Sequence, residues 1–249
     1  SEVELYNTET VLGGPEGSMD RYDPTHPLYT HVQALSEVRA SHPALADGAQ
    51  VARHSTDGSG IFAISRIGSD AKGKGKGKGG KDAGHVEYVV AANNGTEPAT
   101  ASFPTWTKGK GAVFTPLFGT DAAVKPAADG TVKVTVPPLS VSVWRANKPI
   151  STSGAAPTVE VVLPERGVNG RSEITADVEA STFAQTTFLW RQLGAQDWQP
   201  LGTDDNAPFR VFHDVSGLPL ATPLEYRAVV KDAAGRVAGD SSWTQVVGA

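Results

Sequence analysis

Asp23-Pro-Thr-His-Pro-Leu-Tyr-Thr-His-Val-Gln-Ala-Leu-Ser-Glu-Val-Arg-Ala-Ser-His-Pro-Ala-Leu45 is the one stretch of this chain whose apolar residues keep a helical period. Leu28, Val32, Leu35 and Val38 follow one another at spacings of four, three and three, which aligns them on one face of a 3.6-residue helix. Gln33, Ser36, Glu37 and Arg39 fall largely off that stripe. Asp23 before Pro24, or Thr25 shortly before Pro27, offers a capping oxygen next to a ring that fixes φ where no backbone donor is needed. His42-Pro43 ends the helix, because the residue before a proline is pushed out of helical ψ.

Outward from this helix the text changes. Upstream, residues 1–22 alternate weakly and then break into Gly13-Gly-Pro15, an irregular loop by composition. Downstream, residues 49–146 alternate with a strand period, punctuated by Asp57-Gly58, Asn94-Gly95 and Asp129-Gly130. Ile61-Phe-Ala-Ile64 and Val86-Glu-Tyr-Val-Val-Ala91 are apolar enough for central strands, whereas Thr131-Val-Lys-Val-Thr-Val136 alternates cleanly and predicts one wet face. About seven or eight strands make a β-sandwich here. Asn147 to Pro157, rich in Ser, Pro and Ala, has the composition of a linker. Seven further short strand patterns follow, in the segments that begin at Thr158, Ser172, Thr186, Trp198, Arg210, Leu224 and Ser242. The fold class expected is mainly β: two antiparallel sandwiches preceded by one amphipathic helix.

The order of phrases carries a resemblance. His42-Pro-Ala-Leu45 leads to Asp47-Gly-Ala-Gln50, Asp57-Gly-Ser-Gly-Ile-Phe-Ala-Ile-Ser-Arg66, Val89-Val-Ala-Ala-Asn-Asn94, Pro116-Leu-Phe-Gly-Thr120 and Val134-Thr-Val-Pro-Pro-Leu-Ser-Val-Ser-Val-Trp144. Over residues 20 to 146 this resembles the C-terminal region of the α-amylase superfamily of glycoside hydrolases, where a last barrel helix runs into an antiparallel β-domain. The resemblance implies a division into a barrel remnant (1–45), an all-β domain (46–147), a linker (148–156) and a second sandwich (157–249). Trp190 and Tyr226 within that last part resemble an immunoglobulin-like or fibronectin type III-like module, and the lack of cysteines favours the latter style. The implied function is that of a non-catalytic C-terminal portion of a secreted starch- or α-glucan-degrading enzyme of α-amylase or pullulanase type. Its partner would be the catalytic barrel upstream in the same polypeptide, with α-glucan as a further candidate. An autonomous carbohydrate-binding or adhesive pair of β-modules is the alternative.

The resemblance also governs the candidate residues. The nucleophilic Asp, the acid Glu and the third Asp of the superfamily lie on barrel strands that would precede Ser1, so no catalytic residue carries over. Asp20, Arg21, Tyr22 and Asp23 fall on the loop before the last barrel helix, which stands on the active-site face, and are candidates for the substrate rim. Sugar rings stack on exposed aromatics; Trp106 and Trp198 lie beside polar turns and are the candidate platforms, while Trp144, Trp190 and Trp243 sit inside apolar strands and are expected in the core. A helix whose barrel is missing is expected to fray, to dock on its own β-domain or to self-associate through its apolar stripe.

Composition narrows the rest. The 249 residues carry a formal charge of −5, with no cysteine, hence no disulfide, thiolate metal site or cysteine nucleophile. No run of about 18 apolar residues is present to span a membrane. Residues 46–150 hold thirteen basic against eight acidic groups, much of that excess being Lys72-Gly-Lys-Gly-Lys-Gly-Lys-Gly-Gly-Lys81, so a nucleic-acid face is not expected. That tract fails as a phosphate loop, since Gly80-Lys81 is followed by Asp82 where Ser or Thr must hold the metal, and it reads as a disordered loop. Asp204-Asp205-Asn206 lacks the spacing of a calcium loop and reads as a turn. The six histidines show no metal-binding pattern, no Gly-x-Ser-x-Gly elbow occurs, and no cofactor is implied.

Overall fold

The computed structural model describes residues 24–68 and 84–248. The candidate rim residues Asp20, Arg21, Tyr22 and Asp23 and the lysine tract 72–81 lie outside the described residues.

Helix α1 spans Pro27–Ser41. Proline stands at its first position, and the cap is His26, whose Nδ1 accepts from the Leu28 N–H at 3.2 Å. This corrects the expectation of Asp23 or Thr25 as the cap: with Pro27 opening the helix, the residue directly before it is the one whose side chain reaches the second amide. The C-cap is His42, before Pro43, as the proline rule requires. Gln33 donates to Glu37 one turn on at 3.1 Å, on the polar side. None of the helix's residues is buried, and Leu28, Tyr29 and Val32 are at least half exposed.

Pro43–Ala249 forms a second compact unit. It opens with a single helical turn, α2 (Ala44–Asp47), whose Ala44 is buried. Seven strands follow: β1 (Ala49–His54), β2 (Ile61–Gly68), β3 (Val86–Asn93), β4 (Ala99–Pro104), β5 (Phe114–Phe118), β6 (Thr131–Val136) and β7 (Ser140–Ala146). They form an antiparallel five-stranded sheet in the order β1-β2-β3-β7-β5 and a two-stranded sheet β4-β6. The apolar texts of β2 and β3 take interior places, and β6 buries Val132, Val134 and Val136 while Lys133 and Thr135 face water. Val89, Phe114, Val134 and the fully enclosed Trp144 fill the shared core, and the Trp144 indole N–H donates to the Ala122 carbonyl.

Seven more strands follow: β8 (Thr158–Val162), β9 (Arg171–Glu179), β10 (Ala184–Gln192), β11 (Gln199–Asp204), β12 (Phe209–Asp214), β13 (Pro223–Asp232) and β14 (Val237–Gln245). A four-stranded sheet β11-β10-β13-β14 faces a three-stranded sheet β12-β9-β8 across a core of Ile174, Phe188, Leu224, Tyr226 and Ala228. In that core the Tyr226 hydroxyl and His213 Nδ1 are 2.8 Å apart, and Trp190 packs on the imidazole with ring centroids 4.4 Å apart.

A third apolar cluster joins the two sandwiches. Ala49, Val51 and Ile67 from the first, Ile150 from the connecting segment and Phe183 from the second are all buried together. The connection is therefore pinned: Ile150 is 3% exposed and its N–H donates to the His85 carbonyl at 2.8 Å, while the Ser151 carbonyl accepts from Thr182 Oγ1 at 2.8 Å. A segment whose composition suggests a loose tether is held by one isoleucine seated in an interface.

Candidate functional site

The junction between the sandwiches holds a buried ionic cluster. Glu87 on β3 is fully enclosed, and both its oxygens are filled. Oε1 accepts from Arg53 Nη2 and from Ser65 Oγ, each at 2.7 Å, and Oε2 accepts from the backbone N–H groups of Trp106 at 3.0 Å and Thr107 at 2.8 Å. Arg53 Nε donates to Ser65 Oγ at 2.8 Å. A buried carboxylate persists only when its charge is compensated and its lone pairs are satisfied, and four donors do both. Burial pulls the Arg53 guanidinium below its ordinary pKa, and Glu87 opposes that shift.

Glu87 thereby fixes the loop that carries Trp106. The Arg53 guanidinium lies 3.9 Å from the Trp106 ring centroid, and Phe183 of the second sandwich meets the same indole edge-on at 5.5 Å. His85 also packs near Phe183, with ring centroids 5.7 Å apart, and burial together with Lys231 lowers its pKa. The edge strand β1 would otherwise present unpaired amides. Two of them are used by the second sandwich: the Gln50 N–H donates to Asp205 Oδ2 at 3.3 Å and the Ala52 N–H to Asn206 Oδ1 at 3.0 Å. Desolvation raises the pKa of Asp205, with Asp204 acting in the same direction and the Gln50 amide against it. Beside these contacts lies a cavity of about 300 Å³ lined by Arg53, Trp106, Thr182, Asp205, Asn206 and Phe209.

The predicted site residues are thus separated. Trp106 is wedged in the junction between Arg53 and Phe183. Trp198 lies on the outer face of the four-stranded sheet, half-buried, with the Arg191 guanidinium 4.2 Å from its ring centroid. Trp243 corrects the expectation of a core residue, for it is 63% exposed. The alternation of β14 turns residues 237, 239, 241, 243 and 245 outward, and the Ser, Thr and Gln around Trp243, alike on both faces, do not reveal that phase. The Asp204-Asp205-Asn206 cluster forms a turn, with Asp204 accepting from the N–H groups of Asn206 and Arg210, and it doubles as the clamp on β1. Among the described residues no three His, Asp or Glu side chains converge on a metal position.

Sequence reasoning missed Arg53 and Glu87. The available signal was a lone acidic residue inside the apolar run of β3 and a lone arginine on β1, residue types that are almost never buried unless paired. Glu87 and Asp232 are the buried carboxylates among the described residues, and they belong to different sandwiches. Burial alone would raise the Asp232 pKa, but hydrogen bonds and charge from Arg236 bring it below the ordinary range.

Fold and site together define a braced pair of β-sandwiches whose buried ionic groups hold structure. The chain is homologous to a C-terminal part of an α-amylase. It is 43% identical over 219 residues to the alpha-amylase of Streptomyces lividans, a match that covers 87% of this chain and 22% of that enzyme's length. No family model matches the chain. Among solved structures, an alpha-amylase of Geobacillus thermoleovorans complexed with acarbose aligns with 52% of this chain and 25% of its own at 18% identity and a TM-score of 0.38. A tandem-repeat region of a large adhesion protein aligns with 76% of this chain and 57% of its own at 14% identity and a TM-score of 0.27. No helix among the described residues is long and apolar enough to cross a membrane.

Proposed function

We propose that the chain is the non-catalytic C-terminal portion of a secreted α-glucan-degrading hydrolase of α-amylase or pullulanase type, and that it supports the catalytic barrel upstream in the same polypeptide. The observation that carries this reading is the 43% identity over 219 residues to part of an α-amylase. Helix α1 supports it: a helix that buries none of its own residues yet exposes Leu28 and Val32 on one stripe is built to be covered by a larger body. In this reading residues 1–45 belong to the barrel, with Asp20, Arg21, Tyr22 and Asp23 at its rim, 46–147 form the amylase β-domain, 148–156 connect, and 157–249 form a fibronectin type III-like module. The four-plus-three strand order of that last part favours such a module. Secretion follows from the substrate, a polymer too large to enter a cell.

Amide hydrogen exchange tests the barrel reading. Protection of the amides of residues 30–41 should be low in this chain alone and should rise by about tenfold or more in a longer polypeptide that contains the barrel. Equal protection in both would refute it. The chain alone should release no reducing sugar from starch or pullulan, and turnover that survives repurification would show a catalytic site within these 249 residues.

A further inference from the structure

The outer face of the sheet β11-β10-β13-β14 carries one line of side chains that the junction does not use. Register places Trp243 on β14 opposite Glu225 on β13, and Glu225 opposite Arg191 on β10. Arg191 Nε donates to a Glu225 carboxylate oxygen at 2.7 Å, and the same guanidinium stacks over Trp198 at 4.2 Å. Across the sheet the line therefore reads Trp198, Arg191, Glu225, Trp243. Two strand spacings separate Arg191 from Trp243, about 10 Å of backbone. A single exposed apolar side chain needs no explanation; a flat indole at the end of a locked planar ion pair, with a second indole behind that pair, is a built arrangement.

We propose that this line is a saccharide subsite on which Trp243 is the stacking platform and that its ligand is an α-linked glucan. The ligand class rests on the amylase reading above, whereas the preference for a neutral sugar comes from the row itself. The C–H face of a pyranose packs on an indole, and its hydroxyls then lie at the height of Glu225 and Arg191. Those two side chains are only 18% and 24% exposed and hold each other in place, so hydrogen bonds to a sugar need little further ordering. Their charges cancel, and Arg227 beside them adds one positive charge, too few for a polyanion that would have to be neutralised at several sites.

Titration calorimetry of the full chain with maltoheptaose, paired with retention on immobilised amylose, tests the proposal. Wild-type protein should bind, and Trp243→Ala should weaken binding about tenfold or more, the effect of losing a central aromatic anchor. Its thermal unfolding should stay unchanged, because the ring is on the surface; Glu225→Gln provides a second variant that keeps the shape of the row and should also weaken binding. No binding by wild type, or undiminished binding by Trp243→Ala, overturns the subsite and leaves the barrel reading to its own exchange experiment. Equal binding of cellohexaose would overturn the α-glucan assignment. A dimer dispersed by Trp243→Ala, without glucan binding, would assign this face to a second copy of the chain and overturn the proposal.

Discussion

Replacing Glu87 tests the account of the junction most severely. Glu87→Ala leaves Arg53 with its side chain only 7% exposed and without its ionic partner, and breaking a buried pair from one side costs about 3–5 kcal/mol. It also removes the acceptor for the Trp106 and Thr107 amides, each worth about 1–3 kcal/mol when buried and unmet. These losses share one site and do not add fully. The net loss is therefore about 3–5 kcal/mol, a large part of a total stability of about 5–15 kcal/mol for a domain, so this variant should be strongly destabilised. Glu87→Gln keeps the shape but turns one oxygen into an NH₂ group facing donors, at a cost of about 2–4 kcal/mol. Urea unfolding at pH 7, followed by tryptophan fluorescence and far-UV circular dichroism, measures both. Adding Arg53→Met should recover part of the Glu87→Gln loss, because the amide oxygen can take both backbone donors in place of Oε2 and the NH₂ group then meets only the Ser65 hydroxyl, which can accept. A change below about 1 kcal/mol for Glu87→Gln would refute the four-donor account.

Two further expectations follow from the same packing. Phe183 is buried at the point where the sandwiches meet, so Phe183→Ala should remove about 3–5 kcal/mol and split a single calorimetric transition into two. His213 and His85 both have pKa values lowered below the ordinary histidine value, first by burial. A lowered histidine stabilises the fold fully above its unfolded pKa of about 6.5 and loses that contribution as pH falls below it, since the unfolded chain then binds the extra protons. Stability measured between pH 7.5 and 5.5 should therefore decline toward the acid side, less steeply in His213→Gln or His85→Gln and least in the double variant.

Helix α1 was legible because its determinants are local. A 3.6-residue period, a proline able to open the helix and a proline after His42 all act within a few residues. The alternation of β6 and the apolar runs of β2 and β3 were legible for the same reason, and the ordered phrases from His42 to Trp144 disclosed the kinship with α-amylases. The tryptophans were not legible in this way. Trp106, beside polar turns, is wedged under Arg53 and Phe183, whereas Trp243, on a strand where a covered place was expected for it, stands in water. Ile150, alone in a Ser- and Pro-rich connection, seats the second sandwich on the first, and Glu87 inside an apolar strand gathers four donors from three separate segments. A strand's period of two states that its faces differ but not which one is covered; that depends on register and on the sheet or domain that packs against it, which are contacts between residues far apart in the chain.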